Sequence, residues 1–568
     1  MIKKLRTLRV ALLGAIAAVS ATAARSAEPA PAAPPPNMIF VLVDDLRFDA
    51  MGFLTPGLKT PNIDFMAKNG VYFPNAVVTS ALCSPSRATI LTGRSTRNHG
   101  IVDNNNASEV GLTFFPKYLQ GAGYQTGFFG KWHMGQSSDA PRDGFDRWVS
   151  FAGQGYYLPT DGLTRAQVAD GKRQQLNVDG RHVAQKGYIT DELTDYALEW
   201  LDSGRDKSKP FFLYLSHKAV HSDAKPADRH ARLYDGMPIK LPDSIADTPE
   251  NNRGKPIWVR NQRNSWHGAD FAYNRTTPLT DYLREYYRTL SGVDDSVGRI
   301  LEYLRNHKLE KNTVVVFYSD NGFLFGDHGL IDKRNAYEPS VRVPMVVYAP
   351  GLMPKGVTNP VRVRNLDLAP TFLDLARAKA PPQFEGRSFL PVATGQVTPE
   401  AWKAPDFVYE YYWEWSFPQT PTTFAIERGR VKYIQYHGVW DIEELYDLDK
   451  DPNEMTNLID DPAYLETKVE LRRALYAALS NDQGRHVVPF TEKRAQGQVF
   501  RNLDGARAAD FPEKWLRPSN PTDALNGLFP DTRRKLEAEA ANRPYYPTQE
   551  FDEARPSTRH PPTSPSPR

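Results

Sequence analysis

The 568-residue chain contains one cysteine, Cys83, so no internal disulfide can brace the fold. Net charge is equally scarce. Seventy Lys and Arg against 67 Asp and Glu leave +3, with the basic residues spread along the sequence. A nucleic-acid partner would require them gathered on one face, and none is expected. Long apolar runs are missing as well: beyond the N-terminus no stretch is long enough to cross a bilayer. Nor are there internal repeats.

What the N-terminus does have is a secretory pattern over residues 1–27. "MIKKLRTLR" is basic, "VALLGAIAAVS" is apolar but short, and "ATAARSA" offers cleavage after Ala23 or Ala27. The alternative, a membrane anchor, would need a longer apolar segment. Residues 28–36, "EPAPAAPPP", form a Pro/Ala linker unsuited to a packed core. The mature protein is thus expected to be secreted or periplasmic, with no membrane association after cleavage. Exported chains use cysteines in pairs. The lone Cys83 is therefore a buried filler, an accidental free thiol, or a chemical group.

From residue 37 strands alternate with helices. "NMIFVLVDD" is a continuous apolar run ending in Asp44 and Asp45, as expected of a buried parallel strand. "TPNIDFMAKNG" reads as a short helix capped by Thr60, with Pro61 in its first turn. "TFFPKYLQGAGY" reads as a helix, "QTGFFGKWHMG" as a strand running into a loop, and "DELTDYALEWLDS" as an amphipathic helix. "PFFLYLSHKAVH" is a strand with a polar end, and residues 281–306 have helical spacing. "TVVVFYSDNG" is a buried strand ending in Asp320 and Asn321, and "VRVPMVVYAPG" is another strand. The alternation predicts an α/β fold with a mostly parallel central sheet sandwiched by helices, over residues 37–404. Four strands end in polar clusters, and such ends line the ligand site of open α/β sheets. From 405 to 490 short strands and a helix near 465–480 predict a smaller antiparallel subdomain. Residues 491–568, rich in Arg, Asp, Ala and Pro, predict an extended, partly disordered tail.

In "LCSPSRATILTG" Ser84 reads as an N-cap, Pro85 as the first helical residue and Gly93 as the stop. Cys83 would then lie at a helix N-terminus, where the dipole favours anions and a thiol pKa is lowered. Arg87, one turn in, adds a fork suited to tetrahedral oxyanions.

"CSPSRATILTG" resembles, at every fixed position, the signature of the formylglycine-dependent type I sulfatases of the alkaline phosphatase superfamily. "VLVDD", "GKWHMG", "SHKAVH", "YSDNG" and "DKR" follow in that family's order over residues 37–490. The resemblance implies an alkaline-phosphatase-like fold and oxidation of Cys83 to formylglycine. A formylglycine-generating or radical maturation enzyme would be the partner for that step. It also implies Ca²⁺, with Mg²⁺ compatible, held by Asp44, Asp45, Asp320 and Asn321, the residue at 83 completing the shell; all four side chains are hard oxygen donors. In the mechanism so implied, one hydroxyl of the hydrated aldehyde attacks sulfur. The second then expels the sulfate by C–O cleavage.

Of the other catalytic positions, Arg87 would hold the nucleophile oxygen, with His133 as the base beside Lys131. His221 and Lys333 would bind sulfate and serve the leaving oxygen. His217, His328 and Arg334 are candidate substrate contacts, with His217 and Lys218 the competitors of His221. His99 and residues 103–106 form a carbohydrate rim or an ordinary turn, and "YEYYWEWSFP" either stacks sugars or fills a core.

The loops "YLSHKAVHSDAKPADRH" and "IDKRNAYEPSVRVP" are similar to those of the N-acetylglucosamine-6-sulfatase and glycan sulfatase group. A sulfated carbohydrate or small sulfate ester is the expected substrate. Arylsulfatase and choline-sulfatase-like activities are alternatives, as are phosphonate monoester and phosphodiester hydrolysis on the same fold. A sulfated-glycan binder left unmatured at Cys83 is the non-enzymatic reading.

Overall fold

The first strand, β1 (Asn37–Val43), is buried along its whole length in the computed structural model. The structure describes residues 34–480 apart from 106–108, 110, 135–137, 415 and 438–440, together with the paired strands Arg485–Pro489 and Gln498–Asn502. The expected signal peptide and most of the linker and tail lie outside the described residues. Contacts divide the chain into a unit Met1–Pro35 and a unit Pro36–Arg568, and both sheets and the site belong to the second.

The strands that join β1 are β2 (Val71–Tyr72), β3 (Gln125–Lys131), β4 (Arg147–Phe151), β5 (Gln175–Val178), β6 (Arg181–Ala184), β7 (Phe211–Ser216) and β8 (Thr313–Ser319). A hairpin of β9 (Leu324–Phe325) and β10 (Ile331–Asp332) stands apart, and β11 (Met345–Tyr348) and β12 (Val357–Thr358) complete the sheet. Its order is β12-β2-β11-β8-β1-β7-β3-β4-β5-β6. The centre, β8-β1-β7-β3-β4, is parallel. Antiparallel β11 and β5 flank it on either side, so the sheet is mixed at its edges.

Alternation along the strands sorts the apolar residues into two cores. Met38, Phe40, Leu42, Phe212, Tyr214 and Val316 face one side with Ile90 and Leu91. Ile39, Val41, Val43, Leu213, Leu215 and Phe317 face the other, with Leu290, Val293 and Val297 of the long helix Leu279–Asn306. Full burial of each such side chain contributes roughly 1.5–3 kcal/mol. The helix α1 (Pro61–Asn69) starts where Thr60 and Pro61 predict. Thr60 Oγ1, however, donates to Asp64 Oδ1 rather than capping the helix backbone.

The second sheet is antiparallel throughout: β13 (Phe407–Tyr411), β14 (Thr422–Arg428), β15 (Val431–His437) and β16 (Glu444–Asp447), in that order. The helix Leu465–Ser480 packs Leu471 and Leu475 on Ile426, Tyr433 and Leu445. In the aromatic run Tyr409, Tyr411 and Tyr412 are buried, so these rings serve the core and not a sugar-stacking face. A buried ion cluster fastens this sheet to the first. Lys432 of β15 donates to Glu338 (2.7 Å) and Glu454 (2.9 Å), and Lys255 donates to the Tyr446 hydroxyl (2.7 Å).

Candidate active site

Adjacent parallel strands end together, and their carboxyl ends bring the polar residues into one place. Asp44 and Asp45 follow β1, Lys131 ends β3, Ser216 ends β7, and Asp320 and Asn321 follow β8. Gly130 makes the junction of β3 and β7 possible: with φ 123° it lies so close to Ser216 that a Cβ would fall 1.8 Å from that carbonyl oxygen.

The signature forms the helix α2 (Cys83–Thr92), buried over its whole length. It starts two residues earlier than expected. Leu82 is the extended cap, and Cys83 is already helical. Ser84 does not cap it; its hydroxyl donates to the His133 carbonyl, while its N–H donates to Asn104 Oδ1 at 3.0 Å. Asn104 thus supplies from outside the acceptor that Ser84 was expected to supply. Gly93 ends the helix in the left-handed region, as expected. His99 is buried behind α2, its Nδ1 accepting from the Ile101 N–H (3.0 Å) and its Nε2 3.1 Å from Thr89 Oγ1. Burial and Arg94 lower it to about 3. It fastens the helix and forms no rim, and Asp103 accepts from the Asn105 N–H in a turn.

Cys83 Sγ lies 3.5 Å from Asp44 Oδ1. Arg87 donates through Nε to Asp320 (2.8 Å) and through Nη1 to the Lys131 carbonyl and Ser216 Oγ, both at 2.6 Å. Lys131 Nζ is bonded to Asp44 and lies 2.5 Å from Gln154 Oε1. Lys333 Nζ donates to both oxygens of Asp45 at 2.6 Å, and Asn321 Nδ2 donates to Asp45 Oδ1 at 2.7 Å. His221 Nε2 stands 3.8 Å from Asp45 Oδ2, with its Nδ1 on the Ser222 carbonyl at 2.5 Å.

Each of the three carboxylates therefore bonds a cation, Asp44 with Arg87 3.7 Å away as a second, and the electrostatics follow. Burial alone would raise Asp44, but Lys131, His221 and Arg87 hold it well below the usual carboxylate range. Asp45 is pushed up by burial in spite of Lys333, and burial with Asp44 pushes Asp320 up to about 7. Burial, then Lys131, keeps His133 and His221 neutral. Burial opposes the charge on Lys333, yet Asp45 holds the ammonium well above its ordinary value. The expectation for the thiol is reversed. Burial and Asp44 push Cys83 far up, overriding the helix N-terminus, so the unmodified residue is no thiolate nucleophile.

Not every candidate joins this cluster. The backbone ladder continues past β7 by one residue, and His217 Nε2 meets Ser296 Oγ (3.1 Å) on the long helix. His328 turns away after Gly326 (φ 100°) and packs against Tyr337, ring centres 4.4 Å apart, facing Lys255 and Lys432. Nearness in sequence to Asp320 does not carry it to the site. Arg334 stands beside the cluster, donating to Glu414 Oε1 (2.8 Å) and bonded to Asp332, over the Phe417 ring at 4.0 Å. The sequence offered no signal for two neighbours there, Tyr273 and His267. Tyr273 donates to Asp332 (2.8 Å), His267 Nε2 lies 3.5 Å from Asp332, and His267 stacks on Phe417. Lys218 is also buried, and desolvation with Lys131 lowers it to about 8.

Residues 36–378 match the family described as Sulfatase, and residues 326–481 match N-sulphoglucosamine sulphohydrolase, C-terminal. An N-acetylglucosamine-6-O-sulfatase of Bacteroides thetaiotaomicron is 32% identical over 498 residues, 78% of this chain and 85% of that protein. A solved structure of a protein in complex with its substrate D-glucosamine-2-N,6-O-disulfate matches with TM-score 0.68 and 29% identity, over 78% of this chain and 97% of that one. The phosphonate monoester hydrolase of Agrobacterium radiobacter shares the fold, with TM-score 0.61 and 20% identity over 82% of this chain and 100% of its own.

Proposed function

Because the chain belongs to the sulfatase family and is a sulfuric ester hydrolase, we propose that its substrate is a sulfated glycan bearing the sulfate on O6 of N-acetylglucosamine. The reading rests above all on Cys83 held 3.5 Å from Asp44, among carboxylates and cations, where a thiolate is disfavoured. We take the working group to be formylglycine made from Cys83 by a formylglycine-generating or radical maturation enzyme. Its hydrate supplies two hydroxyls on one carbon, one to attack sulfur and one to expel sulfate afterwards.

Asp44, Asp45, Asp320 and Asn321 fit a divalent cation. One oxygen from each of the three carboxylates lies within 4.8 Å of the others, and the buried Asn321 Oδ1 has no hydrogen-bond partner among the described residues. Hard oxygen donors of this kind suit Ca²⁺, with Mg²⁺ compatible, and the ion would polarise the sulfate oxygens. Chelation with EDTA is therefore expected to lower turnover at least tenfold, roughly, and to lower Tm, with Ca²⁺ or Mg²⁺ restoring both. Activity indifferent to exhaustive chelation would count against the cation.

The chain's own residues take the remaining parts. Arg87, clamped on Asp320, fixes the oxygen at position 83. His133, kept neutral, takes the proton whose loss releases sulfate, and Lys131 stands beside it. The Nδ1–H of His221 donates to the Ser222 carbonyl, which leaves Nε2 unprotonated and free to take a proton from water and pass it to the leaving oxygen. The Lys333 ammonium stabilises negative charge on that oxygen. Arg334, with Asp332, His267 and Glu414, offers the fork and carboxylates that read sugar hydroxyls. Export through residues 1–27 would deliver the enzyme to a polymeric substrate.

The test is kcat/KM over a panel: 6-O-sulfated N-acetylglucosamine, glycans sulfated elsewhere, an aryl sulfate, choline sulfate, a phosphonate monoester and a phosphate diester. The 6-O-sulfated sugar is expected to lead. A phosphonate monoester or phosphate diester in first place would overturn the assignment, and another sulfate ester there would replace only the sugar.

A further inference from the structure

The segment "HKAVH" after β7 carries a cation that no step above uses. His217 crosses to Ser296, and His221 faces Asp45. Between them Lys218, only 5% exposed, lays its Nζ 4.8 Å from the centre of the Tyr157 ring. The Tyr157 hydroxyl donates to the His221 carbonyl (2.7 Å), which fixes that ring beside the site. Among the described residues no carboxylate or other acceptor is bonded to the Lys218 ammonium. The charged groups that act on it most are Lys131, Asp44 and Asp45. Every other site cation has its own carboxylate: Arg87 has Asp320, Lys131 has Asp44, and Lys333 has Asp45.

A buried ammonium that meets only an aromatic face retains most of its desolvation cost, because the ring quadrupole recovers only part of it. That cost is relieved when an anion arrives. The anion that reaches Cys83 and the Asp44–Asp45 pair is the sulfate under cleavage. We propose that Lys218 Nζ donates to an oxygen of that sulfate group, as a substrate-binding residue beyond Lys131, His221 and Lys333. The assignment rests on the sulfatase reading above. It also accounts for an unpaired lysine placed where a Met or Leu would pack on Tyr157 at lower cost.

Lys218→Met keeps the aliphatic stem over Tyr157 and removes only the charge. Variants and wild type are compared at equal formylglycine occupancy, checked by the mass of the peptide containing residue 83. For Lys218→Met, KM for a small aryl sulfate and the inhibition constant of inorganic sulfate are expected to rise roughly 10- to 100-fold. Calorimetric binding of inorganic sulfate, which needs no turnover, should weaken by the same factor. Tm should hold or rise, and Lys218→Arg should recover part of the affinity. Unchanged sulfate binding in Lys218→Met, whatever happens to Tm, overturns the role of Lys218 while leaving the enzyme a sulfatase. Wild-type protein that neither cleaves a sulfate ester nor binds sulfate overturns both readings together.

Discussion

Alanine at Cys83 is expected to lower kcat on sulfate esters by at least about 10⁴-fold, with the fold intact. The physical ground is that burial, then Asp44, disfavours a thiolate at position 83, and Lys131 and Lys333 oppose this only in part. A helix N-terminus is equivalent to roughly half a positive charge, whereas Asp44 brings a full negative charge to 3.5 Å inside a fully buried site. Burial and the carboxylate together outweigh the helix end and push the thiol far up. On the proposed mechanism, chemistry at this position runs through the converted side chain. In wild-type protein from its native host, the peptide bearing residue 83 should have lost H₂S, gained O and become reactive to hydrazides. Loss of the sulfur removes little packing and should destabilise by only about 1 kcal/mol. Turnover by Cys83→Ala within tenfold of wild type would sink the covalent role. Active native protein with an intact thiol would sink the conversion.

The legible parts of this protein are those where one local rule decides the outcome. β1 and β8 are apolar throughout because both faces of a central parallel strand are covered, so their ends, and with them Asp44 and Asp320, could be marked from sequence. The edge strands β5 and β6 are four residues each, with exposed positions, and carry no such run. Ser84 does not cap, because the acceptor for its N–H comes from Asn104, twenty residues on. His217 and His221 are equivalent in composition. Only the point at which the β7 ladder ends sends one to Ser296 and the other to Asp45. Lys333 and Arg334 are neighbours in sequence, yet one bonds Asp45 and the other Glu414, in the connection from β13 to β14. Tertiary pairing decides these cases, and His267 and Tyr273 reach Asp332 from a loop without periodicity. The parallel-sheet rule already brings the scattered strand ends to one site; the family resemblance adds which of their residues would act there and how.

Methionine at Lys432 is expected to destabilise the protein by about 3–5 kcal/mol although it lies outside the site. Lys432 is 1% exposed and donates to Glu338, Glu454 and the Ala336 carbonyl. Its removal leaves two carboxylates buried together without their cation. Burial would raise Glu338, but Lys432 and Arg362 hold it at about 2, whereas burial pushes Glu454 up to about 7 even with Lys432 present. The two contributions have opposite signs. Glu338 stabilises above its ordinary 4.5 and loses that contribution as pH falls through about 2. The contribution of Glu454 is lost as pH rises through about 7. Without Lys432 both carboxyls are best tolerated as neutral acids. The deficit of Lys432→Met, read from urea unfolding, should therefore be larger at pH 8 than at pH 5. Adding Glu338→Gln should recover part of it at the higher pH. A deficit below about 1 kcal/mol at both pH values would mean that the cluster is solvated and does not join the two sheets as a buried ion group. Because Glu338 opens the short helix Glu338–Val341, five residues after Lys333, KM should rise in the folded variant only if that helix also steadies the Lys333–Asp45 pair.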